Sequence, residues 1–204
     1  MIIDSLDKFK EFLNTDKDTK PSLLLHACCA PCSSYVLELL HNHFDLTIYF
    51  YNPNVYPKEE YDTRYDEFIK LGNYKIVNEE YNPDEYYKAI EGLEDLPEGS
   101  QRCHSCYDFR LEKSAKYAKD NNFDYYSTTL SISPYKNSNM INEIGQKYAN
   151  LYGVKFLYSN FKKNDGYKKS IILCAQMDIY RQDYCGCEFS LKDLNKKTEQ
   201  KNIG

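Results

Sequence analysis

The sequence predicts an α/β fold: a Rossmann-like three-layer sandwich whose parallel sheet has about five strands in the order 3-2-1-4-5, with cysteine-rich metal sites at its carboxyl edge. Three observations predict it. Short apolar segments alternate with helical patterns along the chain. The apolar segments are too uniform to have one wet face, as expected of strands covered on both sides. Nothing between them reads as a linker or an internal repeat, so residues 1–204 form one domain.

The elements follow in order. Residues 1–20 read as a short amphipathic helix and lead-in. Strands are expected at Ser22–His26, Leu46–Tyr51, Tyr74–Asn78, Phe123–Ser127 and Val154–Ser159, each rich in aliphatic, β-branched or aromatic residues. After the first strand, Pro31 suits an opening helical turn, and Val36, Leu37, Leu39 and Leu40 supply an apolar stripe. Tyr107, Leu111, Ala115 and Ala118 recur at helical spacing before the fourth strand, and Ile141, Ile144 and Tyr148 before the fifth. A last helix is expected from Lys168 to about Met177, and residues 192–204 read as a polar, frayed tail.

Composition excludes several classes. There is no run of about 18 apolar residues, hence no membrane span, and residues 1–20 lack the apolar stretch of a signal peptide. A cytoplasmic compartment is expected, where thiols stay reduced and clustered cysteines bind metals or do redox chemistry. The net charge of −5 is not that of a general nucleic-acid binder, so any such partner needs a local basic patch. Neither the glycine-rich phosphate loop of dinucleotide folds nor a Walker motif is present.

Seven of the eight cysteines fall into three groups: Cys28, Cys29 and Cys32; Cys103 and Cys106; Cys185 and Cys187. Thiolates select zinc and iron–sulfur clusters over harder cations. In a sheet of order 3-2-1-4-5 the ligand crevice opens at the carboxyl ends of strands one and four. Cys28 and Cys29 follow strand one, and Cys103 and Cys106 open the helix that leads into strand four, so two groups converge there. The third group comes after the last helix. Either the segment Asp178–Tyr184 turns back to the crevice or that helix lies across its top.

Adjacent cysteines are awkward ligands for one tetrahedral zinc, whereas separate corners of a cubane cluster accept neighbours, so the spacing favours iron–sulfur over zinc. A radical-SAM motif fails because Leu25 stands where its first cysteine would be. The C-x-C pair suits either a reducible disulfide or a second metal. Cys174, among Ile171, Ile172 and Met177, reads as an apolar filler of the core, and His26 as a hydrogen-bonded core residue.

Six segments in order resemble one family: LLLHACCAPCS (23–33), FYNPNVYPKEEYDTR (50–64), EGSQRCHSCYDFRLE (98–112), STTLSISPYKN (127–137), YGVKF (152–156) and IYRQDYCGCEFS (179–190). The chain is similar there to the cobalamin-independent epoxyqueuosine reductases of queuosine tRNA modification. The resemblance implies an oxidoreductase that removes the oxygen of a cyclopentane epoxide at the tRNA wobble position. It implies a [4Fe–4S] cluster on Cys28, Cys29, Cys103 and Cys106, and an adjacent mononuclear metal, iron or zinc, in reach of the catalytic cysteines Cys32, Cys185 and Cys187. Some relatives carry aspartate where this chain has Cys32. Electrons would come from a small external donor such as a ferredoxin or flavodoxin. Lys136, Lys162, Lys163, Arg102 and Arg110 are the basic residues expected to meet tRNA, and Asp183, Tyr184 and Tyr107 the proton-donor candidates. Two other classes remain: an iron–sulfur electron-transfer or disulfide-reductase subunit, and a non-catalytic zinc-binding module.

Overall fold

In the computed structural model, which describes residues 6–14 and 20–203, one parallel sheet organises the chain. Helix α1 (Leu6–Leu13) packs Phe9 and Phe12 into the core, with Phe12 stacked on Phe44 at 5.1 Å. The rest of the expected lead-in, 1–5 and 15–19, lies outside the described residues. Then come β1 (Ser22–His26), α2 (Ala30–Leu40), β2 (Asp45–Phe50) and α3 (Lys58–Asp66), which a 3-10 turn (Glu67–Leu71) extends. Next are β3 (Lys75–Asn78), α4 (Pro83–Ala89), α5 (Gln101–Asp120) and β4 (Tyr125–Thr128), with a 3-10 turn at Thr129–Ile132. The chain closes with α6 (Ser138–Tyr152), β5 (Lys155–Phe156), α7 (Gly166–Gln176) and α8 (Glu188–Ile203).

The strand order is β3-β2-β1-β4-β5 and every pairing is parallel, as the sequence predicts. β1 is the central strand, with Leu24 facing Thr47 on one side and Tyr126 on the other. Its side chains feed two cores. Leu23 and Leu25 pack with Val36, Leu37 and Leu40 of α2 and with Cys174 of α7. Leu24 packs on the opposite face with Leu111 and Ala115 of α5 and with Ile141 and Ile144 of α6. Burial on both faces is why the strand shows no alternation.

Several boundaries differ from the sequence reading, and β4 spans Tyr125–Thr128 rather than Phe123–Ser127. β5 pairs only over Lys155–Phe156, although an extended run to Ser159 is expected. Beyond it the Asn142 side chain replaces the ladder, accepting from Ser159 N at 3.0 Å and donating to its carbonyl at 2.8 Å. Residues 192–203 continue α8 rather than fraying. Gly145 lets α6 approach β5: a Cβ there would stand 2.3 Å from the Phe156 ring. Among the described residues no helix is long and apolar enough to cross a membrane.

Candidate metal centre

β1 delivers its last residues to the carboxyl edge, and the chain turns directly into α2. His26 is sealed there, with Nδ1 2.8 Å from Thr128 Oγ1 and Nε2 3.3 Å from the Tyr51 carbonyl. It is the hydrogen-bonded core residue expected. Cys29 caps α2 in extended conformation, and Cys32 lies in its first turn. The sulfurs of Cys28, Cys29 and Cys32 all lie within 4.8 Å of one another, Cys28 and Cys29 at 3.8 Å. Three thiols this close cannot all ionise without a cation between them. Hydrogen bonds from Cys29 and Cys32 hold the Cys28 thiol well below its usual range. The same bond to Cys28 pushes Cys29 up to about 12. Free N–H groups of the first turn add a positive field. This soft, buried, electron-rich set fits a thiophilic metal.

The second group comes from α5. Cys103 accepts a hydrogen bond from Gly99 N at 3.2 Å, and Cys106 is buried against Tyr86, Ile90 and Cys187. Burial, partly offset by Arg110, pushes the Cys106 thiol up to about 12. Arg110 Nη1 donates to Cys106 Sγ at 3.8 Å, while Nη2 donates to Asn52 Oδ1. Asn52 is fixed in turn by donating to the Ala27 carbonyl at 2.8 Å, beside the first cysteine group.

The third group arrives by a return of the chain. α7 packs against α2 as an ordinary crossover, and the segment behind it doubles back. Tyr180 N donates to Glu67 Oε2 at 2.8 Å, Gln182 Nε2 to Cys29 Sγ at 3.0 Å, and Tyr56 N to the Gly186 carbonyl at 2.8 Å. Arg64, 1% exposed, donates to the carbonyls of Cys185 at 3.1 Å and Tyr184 at 3.3 Å and pairs with Glu60 at 2.7 Å. Of the two routes open to the sequence, the chain takes the turn back. Cys28, Cys32 and Cys185 thereby line a single cavity of about 510 Å³, together with Lys136, Gln182 and Tyr184.

The sequence profile described as "Epoxyqueuosine reductase QueH" matches residues 23–193. The chain belongs to the epoxyqueuosine reductase QueH family. It is 45% identical over 185 residues to the Epoxyqueuosine reductase QueH of Streptococcus pyogenes serotype M1, a match spanning 86% of this chain and 72% of that protein. To the protein of the same name from Staphylococcus epidermidis it is 42% identical, over 88% of this chain and 83% of the relative. With that of Thermotoga maritima the identity is 40%, over 86% and 93%. Membership in QueH makes the chain an oxidoreductase.

Against the QueH resemblance, the sulfurs sort in a particular way. Cys32 lies with Cys28 and Cys29, whereas Cys106 packs with Cys187. Cys103 and Cys106 are not part of the three-sulfur group. Cys174 is 1% exposed in the core between the α2 and α7 layers, the filler expected.

The basic residues divide. Lys136 lines the cavity, and Lys162 Nζ donates to the Lys136 carbonyl at 2.6 Å. Lys163 is exposed. Burial works against the Lys136 charge, but Cys185, Tyr107 and Cys28 nearby hold its pKa well above the usual lysine range. Arg102 and Arg110 correct the sequence reading: they are 3% and 2% exposed and out of reach of a phosphate backbone. Arg102 donates to the Glu94 carbonyl at 2.7 Å and lies 4.4 Å over the Phe189 ring. Sequence reasoning missed Arg64, Asn52, Gln182 and Tyr135. Tyr135 is an 85% exposed aromatic on the cavity rim. The first two sit in the segment FYNPNVYPKEEYDTR, whose polar residues within an aromatic run are the available signal.

Proposed function

We propose that this protein is an epoxyqueuosine reductase acting on tRNA, converting the cyclopentane epoxide of epoxyqueuosine to the alkene of queuosine. The reaction breaks two C–O bonds, takes up two electrons and two protons, and releases water. The observation that carries the reading is the cavity in which Cys28, Cys32 and Cys185, from two distant segments, meet Lys136 in a QueH-family chain.

Cys28, Cys29, Cys103 and Cys106 would hold a [4Fe–4S] cluster, and Cys32, Cys185 and Cys187 a second metal, iron or zinc. Bound there, these groups supply single electrons and a Lewis-acidic site for the epoxide oxygen. The protein's own residues prepare the rest. Lys136 keeps its charge at neutral pH and offers N–H donors to an oxygen that gains negative charge. Tyr184, pushed up to about 12 by burial and by Glu60, stays a neutral phenol beside Asp183 on the cavity wall. The wobble nucleotide has to leave its stack to reach the sulfurs, and the exposed ring of Tyr135 is placed to receive a base. Electrons come from a small ferredoxin- or flavodoxin-like donor in the cytoplasm.

The test is anaerobic purification, iron and sulfide analysis, and assay on tRNA bearing epoxyqueuosine with a chemical reductant. A brown protein absorbing near ~400 nm that yields queuosine is expected. A colourless zinc protein without turnover would overturn the proposal.

A further inference from the structure

We infer that Arg110 is the internal counter-cation of the metal centre, positioned by Asn52 so that its guanidinium bonds a cysteine sulfur and raises the centre's reduction potential. The inference rests on the cluster reading above and adds a residue that tunes it.

Arg110 is 2% exposed, yet no carboxylate pairs with it among the described residues. Arg64, equally buried, is paired with Glu60. A buried cation left unpaired is costly, so an anion is expected beside Arg110. Of its nitrogens, Nη2 is engaged by Asn52, Nη1 makes the 3.8 Å bond to Cys106 Sγ, and Nε is buried without a partner. The guanidinium therefore bonds the second cysteine group directly and reaches, through Asn52, the Ala27 carbonyl next to the first. A surface phosphate cannot supply the anion, because the side chain has almost no exposed area. An assembled iron–sulfur centre can: its four thiolates outweigh the positive charge of the core. N–H bonds to sulfur and nearby positive charge both favour the reduced, more negative form, which raises the potential. Asn52 acts through Arg110, with Oδ1 gripping the guanidinium and Nδ2 tied to the Ala27 carbonyl.

The experiment is an equilibrium redox titration of anaerobically purified full-length protein, followed by visible absorbance and electron paramagnetic resonance. Wild type is compared with Arg110→Gln and Arg110→Lys. Arg110→Gln is expected to disfavour reduction at least tenfold, which is ~59 mV for one electron. Arg110→Lys keeps a charge but loses the planar fork, and should fall between the two. A wild-type potential in Arg110→Gln overturns the inference. If that variant loads no cluster, Arg110→Lys decides: a lowered potential supports the inference and an unchanged one overturns it. Wild-type protein without iron and sulfide would instead defeat the cluster reading itself, a separate result.

Discussion

Arg64 holds Cys185 by its backbone: Nη1 donates to the Cys185 carbonyl over 3.1 Å while Nε is locked on Glu60 at 2.7 Å. The same guanidinium lies 5.3 Å from the Tyr184 ring centre and would stand 2.7 Å from a Cβ at Gly186. One buried side chain on α3 thus sets where the C-x-C pair sits relative to β1.

Arg64→Met should destabilise the fold by about 3 kcal/mol or more, since it strands Glu60 and frees two carbonyls. In metal-free protein it should also speed alkylation of Cys185. Gly186→Ala adds the clash with Arg64 to a φ of 130° that a side chain resists. In an Arg64→Ala background the clash is gone, so urea melts should show the Gly186→Ala cost shrinking. Strictly additive costs and an unchanged alkylation rate would contradict the clamp.

Cluster loading gives the second prediction. Cys28→Ser, Cys29→Ser, Cys103→Ser and Cys106→Ser should each lose most of the absorption near ~400 nm. Cys174→Ala removes only a buried sulfur and should keep both colour and turnover, at a stability cost of about 1–2 kcal/mol. A fully coloured, active Cys103→Ser would remove the assignment.

The C-x-C pair separates from the cluster in a third measurement. Replacing Cys185 or Cys187 by alanine should abolish turnover and leave the cluster spectrum nearly intact. Metal analysis of the anaerobic wild type should find metal beyond that of one cluster. A dithiol–disulfide cycle at these residues with no added metal would favour a redox pair.

Three residues test the tRNA face. Lys163→Ala should flatten the salt dependence of tRNA binding by about one phosphate contact. Lys162→Ala should act differently, because its Nζ supports the Lys136 carbonyl: turnover should fall more than affinity. Tyr135→Ala should weaken binding by about 1–3 kcal/mol, the worth of one stacked base, while Tyr135→Phe keeps it. Unchanged affinity in both Lys163→Ala and Tyr135→Ala would put the tRNA elsewhere.

Much of the frame could be read from local pattern. Leu23, Leu24 and Leu25 are apolar in succession because both faces of β1 are covered, and that alone marks a central parallel strand. Leu111, Ala115 and Ala118 mark the buried face of α5 by spacing. Cys28 and Cys29 follow β1 without a loop, so the site's place at the carboxyl edge follows from strand order. The apolar run 154–159 reads as a longer strand than β5 is, because pairing with β4 stops at Phe156 and the Asn142 side chain, from a helix, bonds the Ser159 backbone instead.

The sequence by itself determined the sheet, the edge that carries the site and the soft donor chemistry there, since these depend on residue type and short-range periodicity. Only the tertiary structure decided that Arg110 and Arg102 point inward, that Gln182 reaches Cys29, and that residues 192–203 stay helical. A charge on a helix shows in the sequence, but its burial depends on what covers that face. Here the covering comes from chain far away: Asn52 reaches Arg110 and Phe189 lies against Arg102. Such contacts leave no periodic trace, because each partner is placed by the path of another element.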